Sequence, residues 1–320
     1  MKWIKHPVLL NYYLTYRCNA KCSFCDIWER PSPYADVSTV LNNLEQAKKL
    51  GVKVVDFTGG EPLLHQELHT FLEKAKALGM ITTVTTNTLL YPKYAQKLKG
   101  KIDMLHFSLD SIDKQKHDAS RGVKCFDKVL ESIEIAKSLE EKPDVIFTVF
   151  EHNIHEIEHV YHKITQPNGL ILILNPVFEY NQVGGRLSQS SVKVLRQWGK
   201  KKGVYLNQAF LDLRACGGNH VDNPVCYAAS STIVISPTNE LILPCYHLGS
   251  HSFRIQNNLY ELYHSKKVQE VIQLEGRLPA CEGCTINCYF QPSFAVAINR
   301  YFWRALPSTL KYALEKWVYN

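Results

Sequence analysis

The sequence predicts an α/β fold: a partial (β/α)6 barrel of the TIM type, followed by a small cysteine-rich domain of β-hairpin and helical segments. Three observations predict it. Six short β-branched or aromatic runs alternate with longer stretches of helical periodicity between residues 9 and 202, which is the pattern of βαβ units and a parallel sheet. That alternation stops near residue 205. The ten cysteines fall into two groups at opposite ends of the chain, with Cys125 alone between them.

The strands are placed at Leu9–Thr15, Val52–Thr58, Ile81–Thr86, Met104–Leu109, Val145–Phe150 and Leu170–Pro176. Helices are expected at Val37–Leu50, Glu67–Leu78, Pro92–Leu98, Asp127–Leu139, Ile154–Ile164 and Ser191–Lys202, the fourth carrying apolar Val129, Leu130, Ile133, Ile135 and Ala136. Six such units make part of an eightfold barrel, in which chemistry collects at the C-terminal ends of the strands. Beyond them, Ser231–Ser236 and Glu240–Pro244 read as a hairpin turning at Pro237-Thr-Asn-Glu240. The last segment is aromatic and basic, and Pro307 is expected to divide it into two short helices. The resulting domains are 1–205 for the barrel, 206–292 for the cysteine-rich unit and 293–320 for the C-terminal helical segment.

A chain of 320 residues, 45% hydrophobic and 21% charged, has ample material for a packed core, which excludes a disulfide-stapled miniprotein and a disordered chain. The net charge of +7 is an ordinary solubility margin for this size. No basic stripe with stacking aromatics lines the barrel segment, so nucleic acid is not expected as a partner. The early run Pro7–Leu14 contains Asn11, lacks a small-residue cleavage site and reads as a strand rather than a targeting signal. No run of about 18 apolar residues exists to span a bilayer. A cytoplasmic protein is the expectation, and there ten cysteines point to metal rather than to disulfides.

Cys18, Cys22 and Cys25 place three thiolates on one loop after the first strand, with no fourth cysteine nearby. Such a set suits an iron–sulfur cube with one iron left open, a zinc site completed by a distant His or carboxylate, or three unrelated buried thiols. Spacing alone does not choose between them. Other residues fall, in order, at the ends of the following strands: Gly59-Gly60-Glu61-Pro62, Thr86-Asn87, Ser108-Leu109-Asp110 and Arg121-Gly122. The paired glycines leave backbone amides and carbonyls open, Glu61 suits a cationic amine, and Arg121 suits a carboxylate. Asn87, Ser108 and Asp110 offer short hydrogen-bonding groups apt for ribose hydroxyls.

Cys18-x3-Cys22-x-Phe24-Cys25, taken with those residues, resembles the radical S-adenosylmethionine (radical SAM) enzymes over roughly residues 8–205. The resemblance implies a [4Fe-4S] cluster at Cys18, Cys22 and Cys25, and S-adenosylmethionine held by Phe24, Gly59, Gly60, Glu61, Pro62, Asn87, Ser108, Asp110 and Arg121. It implies reductive cleavage to a 5′-deoxyadenosyl radical that takes hydrogen from an unactivated carbon, and an electron donor such as flavodoxin or ferredoxin.

Cys226 and Cys245 flank the hairpin, and Cys281-x2-Cys284 supplies a second pair, so four thiolates can converge on zinc or on iron–sulfur. The arrangement resembles the auxiliary-cluster modules of the same superfamily, Twitch and SPASM, although Glu240 stands where a glycine is usual and six cysteines stand where the longer module has seven. The resemblance implies one auxiliary [4Fe-4S] cluster on Cys226, Cys245, Cys281 and Cys284, with Cys216 and Cys288 as spare or alternative ligands. Cys125, without a nearby partner in sequence, is assigned no role.

Asn175, Glu179 and Tyr180 are expected at the barrel mouth, with His106 on the fourth strand and His152 after the fifth similarly placed. The substrate that the resemblance favours is a peptide; a lipid or small metabolite is the alternative, and a non-catalytic metal-binding module the second. The Phe294–Tyr319 segment, with Arg300, Arg304, Lys311 and Lys316, could pack across both domains, cover an apolar channel or make peripheral membrane contact.

Overall fold

The computed structural model describes residues 2–178 and 185–318. Seven parallel strands, β1 (Leu9–Thr15), β2 (Val54–Gly59), β3 (Ile81–Thr86), β4 (Met104–Ser108), β5 (Asp144–Val149), β6 (Leu172–Pro176) and β7 (Val204–Tyr205), follow one another in space as they do in sequence. Crossover connections bring each strand beside its predecessor in parallel. The crossover helices are α1 (Val37–Lys49), α2 (Leu68–Ala77), α3 (Tyr91–Leu98), α4 (Lys114–Arg121), α5 (Phe126–Ser138), α6 (Glu156–Val160, extended by a π turn at Tyr161–Thr165) and α7 (Gln189–Trp198). The sequence did not announce α4 or the two-residue β7.

The expected hairpin is present as β8 (Thr232–Ile235) and β9 (Glu240–Leu243), and it continues the barrel's own sheet. β8 pairs in parallel with β1, Leu9 opposite Thr232, while β9 and a further strand β10 (His251–Arg254) add antiparallel. The sheet therefore runs β10-β9-β8-β1-β2-β3-β4-β5-β6-β7 and stays open between its edges. Pairing with β1 needs no local signal beyond a β-branched run, so sequence shows the hairpin but not what it joins.

Helices α8 (Gln208–Ala215), α9 (Ala228–Ser231), α10 (Leu259–His264) and α11 (Lys266–Ile272) precede two that cross the open side of the sheet, α12 (Asn287–Val296) and α13 (Arg300–Trp317). On α12, the Asn287 Nδ2 donates to Asn175 Oδ1 (2.8 Å) and to the Pro176 carbonyl (3.0 Å) at the end of β6. On α13, the ring of Tyr312 packs on Tyr205 of β7 at 4.9 Å between centroids, and Lys311 Nζ donates to the Val204 carbonyl at 2.6 Å. Contrary to the expectation of two short helices, α13 runs unbroken through Pro307. The carbonyl deprived of a partner belongs to Trp303, and both residues lie on the exposed face, so the lost bond leaves no buried carbonyl unpaired.

That outer face exposes Trp303, Leu310, Leu314 and Trp317. The basic residues point elsewhere: Arg304 to Asp212, Lys316 to Asp144, Lys311 to backbone carbonyls and Arg300 to the Tyr301 hydroxyl. Among the described residues no helix is long and apolar enough to cross a membrane.

The strands alternate in a way that positions chemistry. Residues facing the helices, such as Leu10, Tyr12, Val55, Phe57, Phe107, Val145 and Phe147, are fully buried. Their neighbours facing inward, Asp56, Thr58, Thr85, His106, Thr148 and Asn175, keep accessible surface. The period of two puts a dry layer outside the sheet and a polar, accessible lumen inside it.

Candidate radical SAM site and cysteine-rich site

The strap Gly59-Gly60-Glu61 leaves β2 and turns back onto the end of β1, where Gly60 N donates to the Thr15 carbonyl and Glu61 N to the Arg17 carbonyl, both at 2.9 Å. This approach is why the glycines are needed: a Cβ on Gly59 would lie 2.1 Å from the Thr15 oxygen and one on Gly60 2.2 Å from the Arg17 oxygen. Glu61 is buried beneath the strap and accepts from Leu63 N (3.1 Å), Thr86 Oγ1 (2.8 Å) and Asn87 N (2.9 Å), tying β2 to β3. Burial outweighs those bonds and raises its carboxyl to about 7.

Arg17 leads into the cysteine loop. Lys21 N donates to the Arg121 carbonyl (3.0 Å) and Ser23 N to the Ser120 carbonyl (3.1 Å), so the C-terminal end of α4 props the loop. Burial raises all three thiols, Cys18 to about 12, and Cys22 and Cys25 each add to the shift at Cys18. The three are electrostatic neighbours. Asn87 Nδ2 reaches Asn19 Oδ1 at 2.7 Å and lies 3.8 Å from Cys18 Sγ. The Phe24 ring sits 5.2 Å from that of Phe150 and under the Arg121 guanidinium at 5.3 Å.

Arg121 is buried and pairs with Asp110, Nη2 to Oδ2 at 2.7 Å. The other oxygen of Asp110 accepts from Thr148 N at 2.9 Å, and Ser108 is buried at the end of β4. Arg121, singled out for a carboxylate, and Asp110, singled out for ribose, are thus already partnered with each other. Cys125, expected to stand alone, has His117 Nε2 3.3 Å from its sulfur. The His117 Nδ1 accepts from Asp110 N (3.2 Å), so Nε2 carries the proton and donates to sulfur. The two lie eight residues apart, His117 inside α4 and Cys125 just before α5, and the turn between the helices brings them together.

At the other end, Cys226 and Cys245 feel each other and Cys284, while Cys245 feels Cys281. Asn219, fully buried and unremarked in the sequence, organises them: its Oδ1 accepts from Cys226 N (3.3 Å), its Nδ2 donates to the Cys281 carbonyl (3.2 Å), and its backbone N donates to the Cys284 carbonyl (3.0 Å). A Gly-Gly-Asn at 217–219 is an ordinary turn signal, and nothing in it forecasts this role. Cys216 instead interacts with Arg300 and Tyr301, and Cys288 faces Asp56, Tyr13 and Tyr289 in the lumen. A cleft of about 860 Å³ runs from Lys193 and Arg196 on α7 to Cys245, Cys281 and Cys284.

Among the described residues no three His, Cys, Asp or Glu side chains surround a point where a single metal ion would sit. Tetrahedral zinc at ~2.3 Å from sulfur needs thiolates only about 3.8 Å apart. A cube spreads its thiolates over different irons, and the donor sets here, three cysteines on one loop and four cysteines at the second site, are thiolates alone, the chemistry an iron–sulfur cluster takes.

Residues 12–164 match the radical SAM superfamily. The chain carries a radical SAM domain. Such a domain takes a [4Fe-4S] cluster and S-adenosylmethionine. Its relatives include a probable GTP 3′,8-cyclase of Methanocella arvoryzae, 30% identical over 196 residues that cover 60% of this chain and 64% of the relative. The antilisterial bacteriocin subtilosin biosynthesis protein AlbA of Bacillus subtilis is 28% identical over 280 residues, 81% of this chain and 59% of that one. The chain thus spans less than two thirds of these relatives. Its fold is similar to that of Streptococcus suis SuiB bound to S-adenosylmethionine, with TM-score 0.67, 17% identity and coverage of 82% and 67% of the two chains. anSMEcpe with bound AdoMet and a peptide gives 0.64, 17%, 96% and 97%. Glu179 and Tyr180 lie outside the described residues, while Asn175 is drawn into the lumen wall by Asn287. His152 is exposed, stacked on Phe150 at 5.2 Å, and His106 lines the lumen 3.6 Å from Asp144.

Proposed function

We propose that this protein is a radical SAM enzyme that cleaves S-adenosylmethionine reductively and removes hydrogen from an unactivated C–H bond of a peptide or peptide-like substrate. The observation that carries the reading is the joining of Cys18, Cys22 and Cys25 to the glycine strap, Asn87 and Arg121 in one hydrogen-bonded unit at the C-terminal ends of β1–β4. A cluster bound at those thiolates supplies the electron that splits S-adenosylmethionine into methionine and a 5′-deoxyadenosyl radical.

The chain's own part is binding and exclusion. The glycine strap offers unobstructed backbone to the methionyl group, and Glu61, with lone pairs to spare beyond its three hydrogen bonds, holds the strap and faces an ammonium. Asn87 and Ser108 take the ribose side, Asp110 fixes Arg121, and Phe24 with Arg121 closes the floor. The lumen shields a radical from water and orients one C–H bond. The peptide reading is supported by likeness to folds with bound peptides and to a bacteriocin biosynthesis protein. Cys226, Cys245, Cys281 and Cys284 hold an auxiliary cluster of the Twitch or SPASM kind, fully ligated and suited to electron transfer. A flavodoxin or ferredoxin serves as donor.

Anaerobic reconstitution tests the reading, with iron and sulfide counted and 5′-deoxyadenosine measured after dithionite. About eight irons per chain, and 5′-deoxyadenosine that vanishes in Cys18→Ala/Cys22→Ala/Cys25→Ala, is the expected result. No 5′-deoxyadenosine from a fully loaded wild type overturns it.

A further inference from the structure

One ionisable group inside the lumen is left without a partner. Asp56 occupies the third position of β2, opposite Asn11 on β1 and Thr83 on β3, and the alternation of the strand turns it away from the helices and into the lumen. Among the described residues it makes no hydrogen bond and no ion pair, whereas Asp144 on the same inner surface is held by Lys316 at 2.8 Å and by the Tyr312 hydroxyl at 2.6 Å. Burial, with nothing to offset it, pushes the Asp56 carboxyl up to about 7.

The space in front of Asp56 is open. Cys288, reached from α12, exposes its side chain although Asn287, Tyr289 and Phe290 around it are buried and burial raises its thiol to about 11. An accessible side chain enclosed by buried neighbours borders an internal space rather than the outer surface. Tyr13, Tyr289, Cys288 and Asp56 interact with one another there, and the neutral groups supply no positive charge.

A carboxylate on the wall of an open lumen, with no counter-charge from the chain, offers an incoming cation a site that no other group there provides. We propose that Asp56 is a specificity-determining residue that receives a cationic group of the substrate, an ammonium or guanidinium, in the lumen between β2 and α12. For a peptide substrate that group is a lysine or arginine side chain or the amino terminus. The neighbouring Asn11 amide and Tyr13 hydroxyl add hydrogen-bonding capacity but no charge, so selection for a cation rests on Asp56. The proposal takes the lumen as the substrate side and in that rests on the function proposed above.

Cys288 is a built-in probe of the field. In the iron-loaded protein, its modification by a cationic methanethiosulfonate (the trimethylammonium-ethyl reagent) and an anionic one (the sulfonatoethyl reagent) is followed by mass spectrometry, each rate divided by that of 2-mercaptoethanol at pH 8. The cationic reagent is expected to be favoured by about tenfold in the wild type, and Asp56→Asn to abolish the preference. Equal normalised rates in the wild type, a preference that survives Asp56→Asn, or no reaction of Cys288 with either reagent would each overturn the proposal. The readout does not involve S-adenosylmethionine cleavage, so failure of the enzymatic reading and failure of this one are told apart.

Discussion

The Oδ1 of Asn219 accepts the backbone N–H of Cys226 at 3.3 Å while its Nδ2 donates to the carbonyl of Cys281 at 3.2 Å, so one buried amide fixes the backbones of two cysteines that are 55 residues apart (281 − 226 = 55). The same residue bonds the Cys284 carbonyl and the Gly276 carbonyl. Loss of that side chain leaves buried backbone groups unpaired. Asn219→Ala is therefore expected to lower iron from about eight to about four per chain while 5′-deoxyadenosine formation at the first site persists. Retention of all iron would show that the thiolates arrange themselves without it.

The choice of ligands is testable in the same way. Cys288 turns to the lumen and Cys216 toward Tyr301, away from the four thiols that interact with one another. Cys288→Ala and Cys216→Ala should each keep about eight irons, whereas Cys226→Ala should lose the second cluster or leave it labile. An iron count that falls in Cys288→Ala would return that residue to the ligand set.

Asp56 also governs stability. Its carboxyl stands near 7 in the folded chain because burial disfavours the charged form, against about 4 when unfolded. A raised acid destabilises as pH climbs, since the unfolded state then ionises more readily: the cost is absent below about pH 4 and complete above about pH 7. Asp56→Asn should thus melt higher than wild type at pH 8, by about 1–3 kcal/mol, and the gain should disappear by about pH 4. A thermal melt series across that window decides it; a gain that does not depend on pH would mean the carboxyl is ionised at its ordinary value.

The opposite sign applies to His106 and His117, both held near 4 by burial. A depressed histidine favours the folded state above the unfolded value near 6.5 and loses that contribution as pH falls toward 4. Around His106 stand Thr85, Asp144 and Lys316, and around His117 stand Arg121, Asp110, Asp118 and Cys125. His117→Gln, which keeps a donor for Cys125 Sγ, should flatten the acid limb of stability between about pH 6.5 and pH 4. A limb as steep as in the wild type would assign it to other groups.

The C-terminal helix is clamped from inside. Asp144 at the start of β5 takes Lys316 Nζ (2.8 Å) and the Tyr312 hydroxyl (2.6 Å), two residues one helical turn apart, and the ion pair is almost wholly buried. Removing one member of a buried pair strands the other. Lys316→Ala is expected to cost about 3 kcal/mol, read as a lower denaturation midpoint, and Tyr312→Phe about 1 kcal/mol. Midpoints unchanged in both would mean that α13 is held by its apolar contacts alone.

The sequence determined much by itself. Period-two runs of β-branched residues are local, and so β1 and β3 fall where expected to the residue and the other barrel strands within about two. The loop Cys18–Cys25, the Gly59-Gly60-Glu61 strap and the order of the strand-end residues are equally local, because a sharp turn or a close backbone approach demands a particular residue at a particular place. What only tertiary structure decided was pairing between distant segments. The hairpin's union with β1, the continuity of α13 past Pro307, the hub at Asn219, the His117–Cys125 contact and the isolation of Asp56 depend on which surfaces meet. A short strand, an asparagine or an aspartate carries no mark of its eventual neighbour, and burial, which sets both charge state and hydrogen-bond need, exists only once the chain has closed around it.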